Sequence, residues 1–482
     1  MTPTNCATGT LAPYAPTSDM PWDERRVMHL YRRLGFGATP AELDSGLNQH
    51  PSALVDALLD QAMALPLPPE PEWSNWPISR YTNEEEAVLQ IFAWRRRWVS
   101  DMLAHGPREK LALFWHNHFV TRLEGYGCPS YMYQYHKVLQ QNVLGNFREF
   151  LKAIGTTPAM LVFLNGVQNT RFNPNENYAR ELYELFTLGR DNGYTQQDIV
   201  QTARALTGWN ALTEYCGPIS FFPLTFDPGQ KTIFGRTGNW DYNGVHELLF
   251  AQRGALIANY ICRKIYRTFV SPQIDEAIVN ELASIFIQHD FEIAPVLRTL
   301  FKSDHFFSDA NIGVLVKSPL ELLITFLREG GFEIDWRDEW LDGLIYLASE
   351  LGQELFNPID VAGWQGDRLW VNNNTLTGRW QALRFVLFTV FQNYPQQLRH
   401  LARVRSENSN DADYIAEVLT DHFLPNGLQT ADEYDWATLA FKSEIPDHYF
   451  RDGSWNLDWE TVPIQVALLI DHLIRRPEFQ LM

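Results

Sequence analysis

The sequence has little cysteine, fewer basic than acidic residues, and no long apolar run. Cys6, Cys128, Cys216 and Cys262 are the only cysteines in 482 residues, and they lie far apart. They form no CxxC and no Cys/His pair at zinc spacing, so neither a structural zinc site nor a disulfide framework is expected. Cysteine this sparse fits a reducing compartment. Lys and Arg number 39 against 58 Asp and Glu, a formal net charge of −19. Such a surface repels phosphate backbones and anionic lipid, so the expectation is a soluble protein with no nucleic-acid partner. The longest strongly apolar segments, 257–265 and 462–470, are too short to span a bilayer. The first residues carry neither a basic region nor an apolar stretch, which makes the cytoplasm the expected location as written. GxSxG, HExxH, Walker and GxGxxG sequences are absent too, so no familiar motif assigns a reaction.

What the chain does have is aromatic mass and helical periodicity. Thirty Phe, 19 Tyr and 16 Trp supply enough apolar area to offset the entropy of ordering a long chain. Residues 1–20, rich in Pro and Thr, read as an extended N-terminal arm. From Pro21 the pattern turns helical, with Val27, Leu30, Tyr31 and Leu34 on one face until Gly35 and Gly37 end it. Thr39-Pro40-Ala41-Glu42 combines an N-cap, a first-turn proline and a capping-box glutamate. Thr195 with Asp198 repeats that start signal. Helical segments are expected over 83–123, over 131–154 with a break at Gly145, over 175–209 with an interruption at Gly189–Tyr194, and again from 245 onward. Two stretches break the pattern. Residues 211–245, with Lys231 to Trp240 as a short β-hairpin or an ordered loop, and residues 357–377 read as irregular insertions. The fold class expected is all-α, a single large domain over 21–482 with short irregular or β-hairpin insertions and no fixed repeat.

The densest polar run is Asn173 to Gly189. On a helix, Asn177, Glu181 and Glu184 share a face, and Glu176, Arg180 and Glu184 are linked by i, i+4 steps, so Arg180 can bridge two carboxylates. Glu181 and Glu184, with Arg180 and Asn177, are the candidate acid/base or catalytic groups. The competing reading of the same run is an ion-pair network that fixes helix packing. His116 and His118 are the second candidate pair. With Glu181 and Glu184 they make a possible divalent-metal set for zinc, iron or manganese. Two residues apart on a helix they point roughly 200° from each other, so one ion cannot take both from a regular helix. Arg180 would also oppose a nearby cation, and the Glu-x-x-His spacing of di-iron bundles is missing. Trp240, Trp364 and Trp370, from the two insertions, are candidate sugar-stacking indoles if exposed.

Several stretches carry a family resemblance. They are Leu30 to Gly37, Phe114-Trp-His-Asn-His-Phe119, Asn175 to Gly189 and Ala203 to Trp209. Further on come Lys317-Ser-Pro-Leu-Glu321, Gly352 to Pro358, Val361-Ala-Gly-Trp364 and Arg476 to Leu481. Through them the chain resembles the bacterial family called domain of unknown function 1800 over nearly its whole length. The resemblance implies one full-length domain and no catalytic assignment. It also implies a neighbour, an exported alkaline-phosphatase-like protein carrying a twin-arginine signal. Three functions follow as expectations: a non-catalytic partner or maturation factor of that neighbour, a metal-dependent enzyme with a Glu/His centre, or a carbohydrate-binding protein. Export in complex with a signal-bearing partner is the alternative to the cytoplasm.

Overall fold

The computed structural model describes residues 9–482 except 336; residues 1–8 of the expected arm fall outside the described residues. Among the described residues the fold is mostly helical, 62% helix in 23 segments, and strand is confined to two small two-stranded sheets, as periodicity indicated. Among the described residues no helix is long and apolar enough to cross a membrane.

Local signals were read closely by the fold. Thr39 accepts from the Glu42 amide at 3.3 Å and its own amide donates to Glu42 Oε2 at 2.7 Å, closing the capping box that starts helix Pro40–Leu47. Thr195 and Asp198 do the same for helix Gln196–Ala205. The hairpin pairs Lys231–Ile233 with Arg236–Gly238, and a second short ladder joins Ala211–Leu212 to Ile219–Ser220. The described part of the N-terminal arm is pinned to the body, with the Tyr14 amide donating to Lys302 O at 2.7 Å and its ring buried.

Boundaries moved where a proline or a competing hydrogen bond intervened. The 83–123 segment is two helices, Glu84–Ala104 and Gly106–His118, because Pro107 can open a helix but not continue one. The 131–154 segment, by contrast, breaks around Gly145 as expected, into Pro129–Asn142 and Phe147–Gly155. The polar run supplies only Asn177–Glu184. Its last turn widens as the amides of Leu188 and Gly189 both fold back on Tyr183 O, with Gly189 in the left-handed region.

One expectation is overturned. Cys128 and Cys216, 88 residues apart, form a disulfide with Cα atoms 5.5 Å apart. It ties the first insertion to the start of helix Pro129–Asn142. There Ser130 Oγ donates to Cys216 O at 3.3 Å and the Tyr131 hydroxyl to Gly217 O at 2.5 Å. Sequence spacing carries no signal for a pair this distant; only the packing of the insertion on that helix brings the two sulfurs together.

Buried charge is concentrated where the N-terminal and C-terminal halves meet. Helix Glu24–Leu34 is covered on nearly every side. Its Arg32 makes a two-pronged pair with Glu329 of helix Pro319–Glu329, at 2.6 and 2.9 Å, with both side chains inaccessible. A third bond, to His422 O at 3.0 Å, satisfies more of the guanidinium. Burial this complete is tolerable only with such partners.

Candidate functional site

The Glu/Arg face singled out by sequence is present but shallow. Arg180 bridges Glu176 at 3.0 Å and Glu184 at 3.4 Å, as the i, i+4 spacing requires, and also reaches Gln196 at 3.0 Å. Its side chain stays 37% exposed, and Arg190 joins Glu184 from solvent at 3.7 Å. Glu181 is half-buried, and its carboxyl is pushed up to about 7, chiefly by burial and then by the charge of Glu184. Asn177 sits at the helix start, where its amide is held by Asn175 Oδ1 at 2.9 Å. Glu176, Arg180, Glu184 and Arg190 form a partly solvated ion-pair ladder, beside which Glu181 and Asn177 stand without an ion pair among the described residues.

The two histidines are structural anchors pointing different ways. His116 Nε2 accepts the Phe356 amide at 3.2 Å, which fixes the proton on Nδ1. That proton goes to the Tyr135 hydroxyl at 2.9 Å, which in turn donates to Phe119 O at 2.6 Å. Both ring nitrogens are used, and burial drives the pKa down to about 3. His118 Nε2 donates to Phe186 O at 3.1 Å, leaving Nδ1 to accept from Lys264 Nζ at 3.1 Å. Its pKa is driven well down by burial and then by Lys264. So His118 does meet the end of the Asn177–Glu184 segment, but through a backbone carbonyl. The structure does not gather His116, His118, Glu181 and Glu184. Among the described residues, no group of three or more His, Cys, Asp or Glu side chains is placed to hold a metal ion. Zinc, iron or manganese ligation by that set therefore has no geometric support. The indoles do not form an exposed row either. Trp364 and Trp370 are buried, and half-buried Trp240 donates to Arg236 O at 3.1 Å.

Between the two histidines, Asn117 completes the role of the Phe114–Phe119 stretch. Its Oδ1 accepts the Trp364 amide at 2.7 Å and its Nδ2 donates to Trp364 O at 2.9 Å. Gly363, in the left-handed region, passes so close that a Cβ would collide with Asn117. Three consecutive residues thus fasten three different segments: 356 by His116, 364 by Asn117, and 186 with Lys264 by His118.

Asn117, His118, Lys264 and Trp364, brought together by these bonds, line a half-open cavity of about 610 Å³. Helix Gly106–His118 gives it Lys110, Phe114 and His118; helix Tyr242–Phe269 gives Lys264, Arg267 and Thr268; the start of helix Pro319–Glu329 gives Glu321. The second insertion contributes Trp364 to Trp370, and Met482 reaches it from the chain end. The ionised groups on the wall are Lys110, Lys264, Arg267 and Arg368 against Glu321 and Asp367. Glu321 is already committed, one oxygen to Lys110 and the other to the Ser318 amide at 2.6 Å. Asp367 accepts the Val316 amide at 3.3 Å.

Behind the wall lie further cations. Arg33 is fully buried, spends one nitrogen on Asn311 O at 2.8 Å, and leaves Nε and Nη1 without a partner. Burial pulls it down to about 9, against the pull of Glu321 and Asp367. Lys317 is inaccessible and donates to Phe479 O at 3.0 Å; burial, then Arg32, takes its pKa down to about 7. Arg379 bonds Gln480 and the Lys317 carbonyl at 2.8 Å each, and its Nη1 has no partner. Among the described residues Arg33, Lys317, Arg379, Lys264, Arg267 and Arg368 form no ion pair with a carboxylate.

Sequence reasoning missed Lys110, Lys264, Arg267 and Arg33. Their burial left no signal in the local sequence: helices Glu24–Leu34 and Gly106–His118 carry as much charge as a solvated helix would, yet both are buried on nearly every side.

Compared with known families, residues 29–481 match the one described as "Protein of unknown function (DUF1800)". No curated protein and no solved structure matches the chain.

Proposed function

We propose, from the premise that the chain belongs to the DUF1800 family of proteins of unknown function, that it is a small-molecule-binding protein whose site is the cavity under the second insertion. One observation carries this reading. Stretches of the family resemblance that are far apart in sequence meet there: 114–119, 317–321, 352–358 and 361–364 supply its wall, and 30–37 and 476–481 back it. Packing alone would not leave about 610 Å³ between them. Thr268 stands half-buried on the rim, so Thr268→Trp would fill the space without rebuilding the core. Native mass spectrometry of the two proteins against one metabolite-sized library is the measurement. Ligand adducts on the parent and none on a normally helical Thr268→Trp variant support the reading; identical adduct profiles overturn it.

A specific observation favours the partner reading beside it. On helix Asn373–Asn393, Phe385 and Phe388 are 53% and 60% exposed. They form an apolar ridge between two grooves of about 310 and 470 Å³. Ridges of that kind on a protein surface commonly meet another protein. The occupant proposed is the exported phosphatase-like neighbour implied by the resemblance, and Phe388→Glu should abolish its co-purification. The Cys128–Cys216 disulfide supports an oxidising, exported location over the cytoplasm, since such bonds persist where thiols are not kept reduced. Thiol alkylation of the protein taken unreduced from its own cells checks this: labelling of Cys128 or Cys216 contradicts it.

A further inference from the structure

We propose that the cavity binds a small organic anion, its carboxylate or phosphate group seated against Lys264 and Arg267 and its apolar part against Phe114 and Leu315. This rests on the cavity being the functional site and adds the class of ligand.

The argument begins with sign. The chain carries a net charge of −19, yet the cavity wall has the opposite balance. Glu321 is neutralised by Lys110, with which it is in contact. Asp367 faces the field of buried Arg33. What is left on the wall is Lys264, Arg267 and Arg368, with Lys317 and Arg379 behind, none of them ion-paired with a carboxylate among the described residues. Walls of low polarisability focus such a field into the cavity, which raises the local concentration of anions and excludes cations.

Placement sharpens the point. Lys264 and Arg267 stand three residues apart on one face of helix Tyr242–Phe269, close enough to repel. The helix C-terminus offsets part of that repulsion, as it does for any cation in a last turn. It does not satisfy the ammonium. Protonated Lys264 has three N–H groups, places two on His118 Nδ1 at 3.1 Å and Leu185 O at 3.3 Å, and lies 5.1 Å from the centre of the Tyr260 ring, so no anion answers its charge and a ligand oxyanion can take the third N–H. The His118 tautomer is held by Phe186 O, which makes its Nδ1 a fixed acceptor and orients the lysine. Arg267, exposed at the rim, can add a two-pronged contact to a planar or tetrahedral oxyanion. Phe114, Leu113 and Leu315 offer the apolar area that makes an organic anion fit better than an inorganic one.

The test uses the full chain and three probes of similar size: phenyl phosphate, benzoate and benzyl alcohol, titrated at low salt by calorimetry. One or both anions should bind and the neutral alcohol should not; which anion binds tells phosphate from carboxylate. Arg267→Glu, a rim change that leaves the core intact, should weaken anion binding by roughly tenfold or more, the worth of a charge-assisted hydrogen bond. Lys264→Met should do the same. If benzyl alcohol binds as tightly as the anions and Thr268→Trp blocks it, the cavity reading stands and the anion inference is overturned. If no probe binds, or binding survives Thr268→Trp, both fall.

Discussion

Two charged regions of this molecule use the same residue types to opposite ends. On helix Asn177–Glu184, Arg180 is shared by two glutamates at the half-exposed surface, where water competes for every charge. At the seam between helices Glu24–Leu34 and Pro319–Glu329, Arg32 and Glu329 are sealed from water and hold each other through two hydrogen bonds. The first resembles an active site when read as sequence and proves to be a surface ladder. The second is nearly invisible in the sequence and joins two helices through a buried pair. Burial, not the density of charged letters, separates structure-making charge from solvated charge.

The largest effect that would break this comparison is at the seam. Arg32→Ala strands the inaccessible Glu329 carboxylate, and unfolding by denaturant should show a loss of about 3–5 kcal/mol. A loss below about 1 kcal/mol, the range of exposed pairs, would erase the distinction.

A middle-sized effect comes from Lys317. Its folded pKa, about 7, lies below the ordinary lysine value of 10.5, so between those values the unfolded chain binds the extra proton. Stability should therefore rise as pH climbs from about 7 toward 10.5, and the burial penalty is fully felt below 7. Lys317→Met removes the titrating group, so the rise in melting temperature across that window should flatten. An unchanged slope would mean that Lys317 is not buried as an ammonium.

The smallest effect belongs to the surface ladder. Arg180→Ala should cost less than about 1 kcal/mol, because its partners are screened by solvent. A loss comparable with that of Arg32→Ala would show the ladder to be sealed after all, and would restore Glu181 as a buried acid.

Much of this was legible beforehand. The capping signals at Thr39 and Thr195, the Lys231–Gly238 hairpin and the Arg180 bridge depend on neighbours within a few residues, and each is present, whereas helix Asn373–Asn393 begins inside the stretch 357–377 read as irregular. His116 and His118 share one helix and bond different segments. What His116, Asn117 and His118 hold lies some 70 to 250 positions away along the chain, a distance at which spacing carries no information.

By itself, then, the sequence determined a helical fold, the capped starts of several helices and a negative net charge, because periodicity, capping and net charge are local or additive properties. Tertiary structure alone decided that Cys128 meets Cys216, that Arg33 and Lys317 are taken out of water, and that an acidic chain encloses a cation-walled cavity. These depend on which distant segments share a low-dielectric interior, where one unpaired charge outweighs many solvated ones.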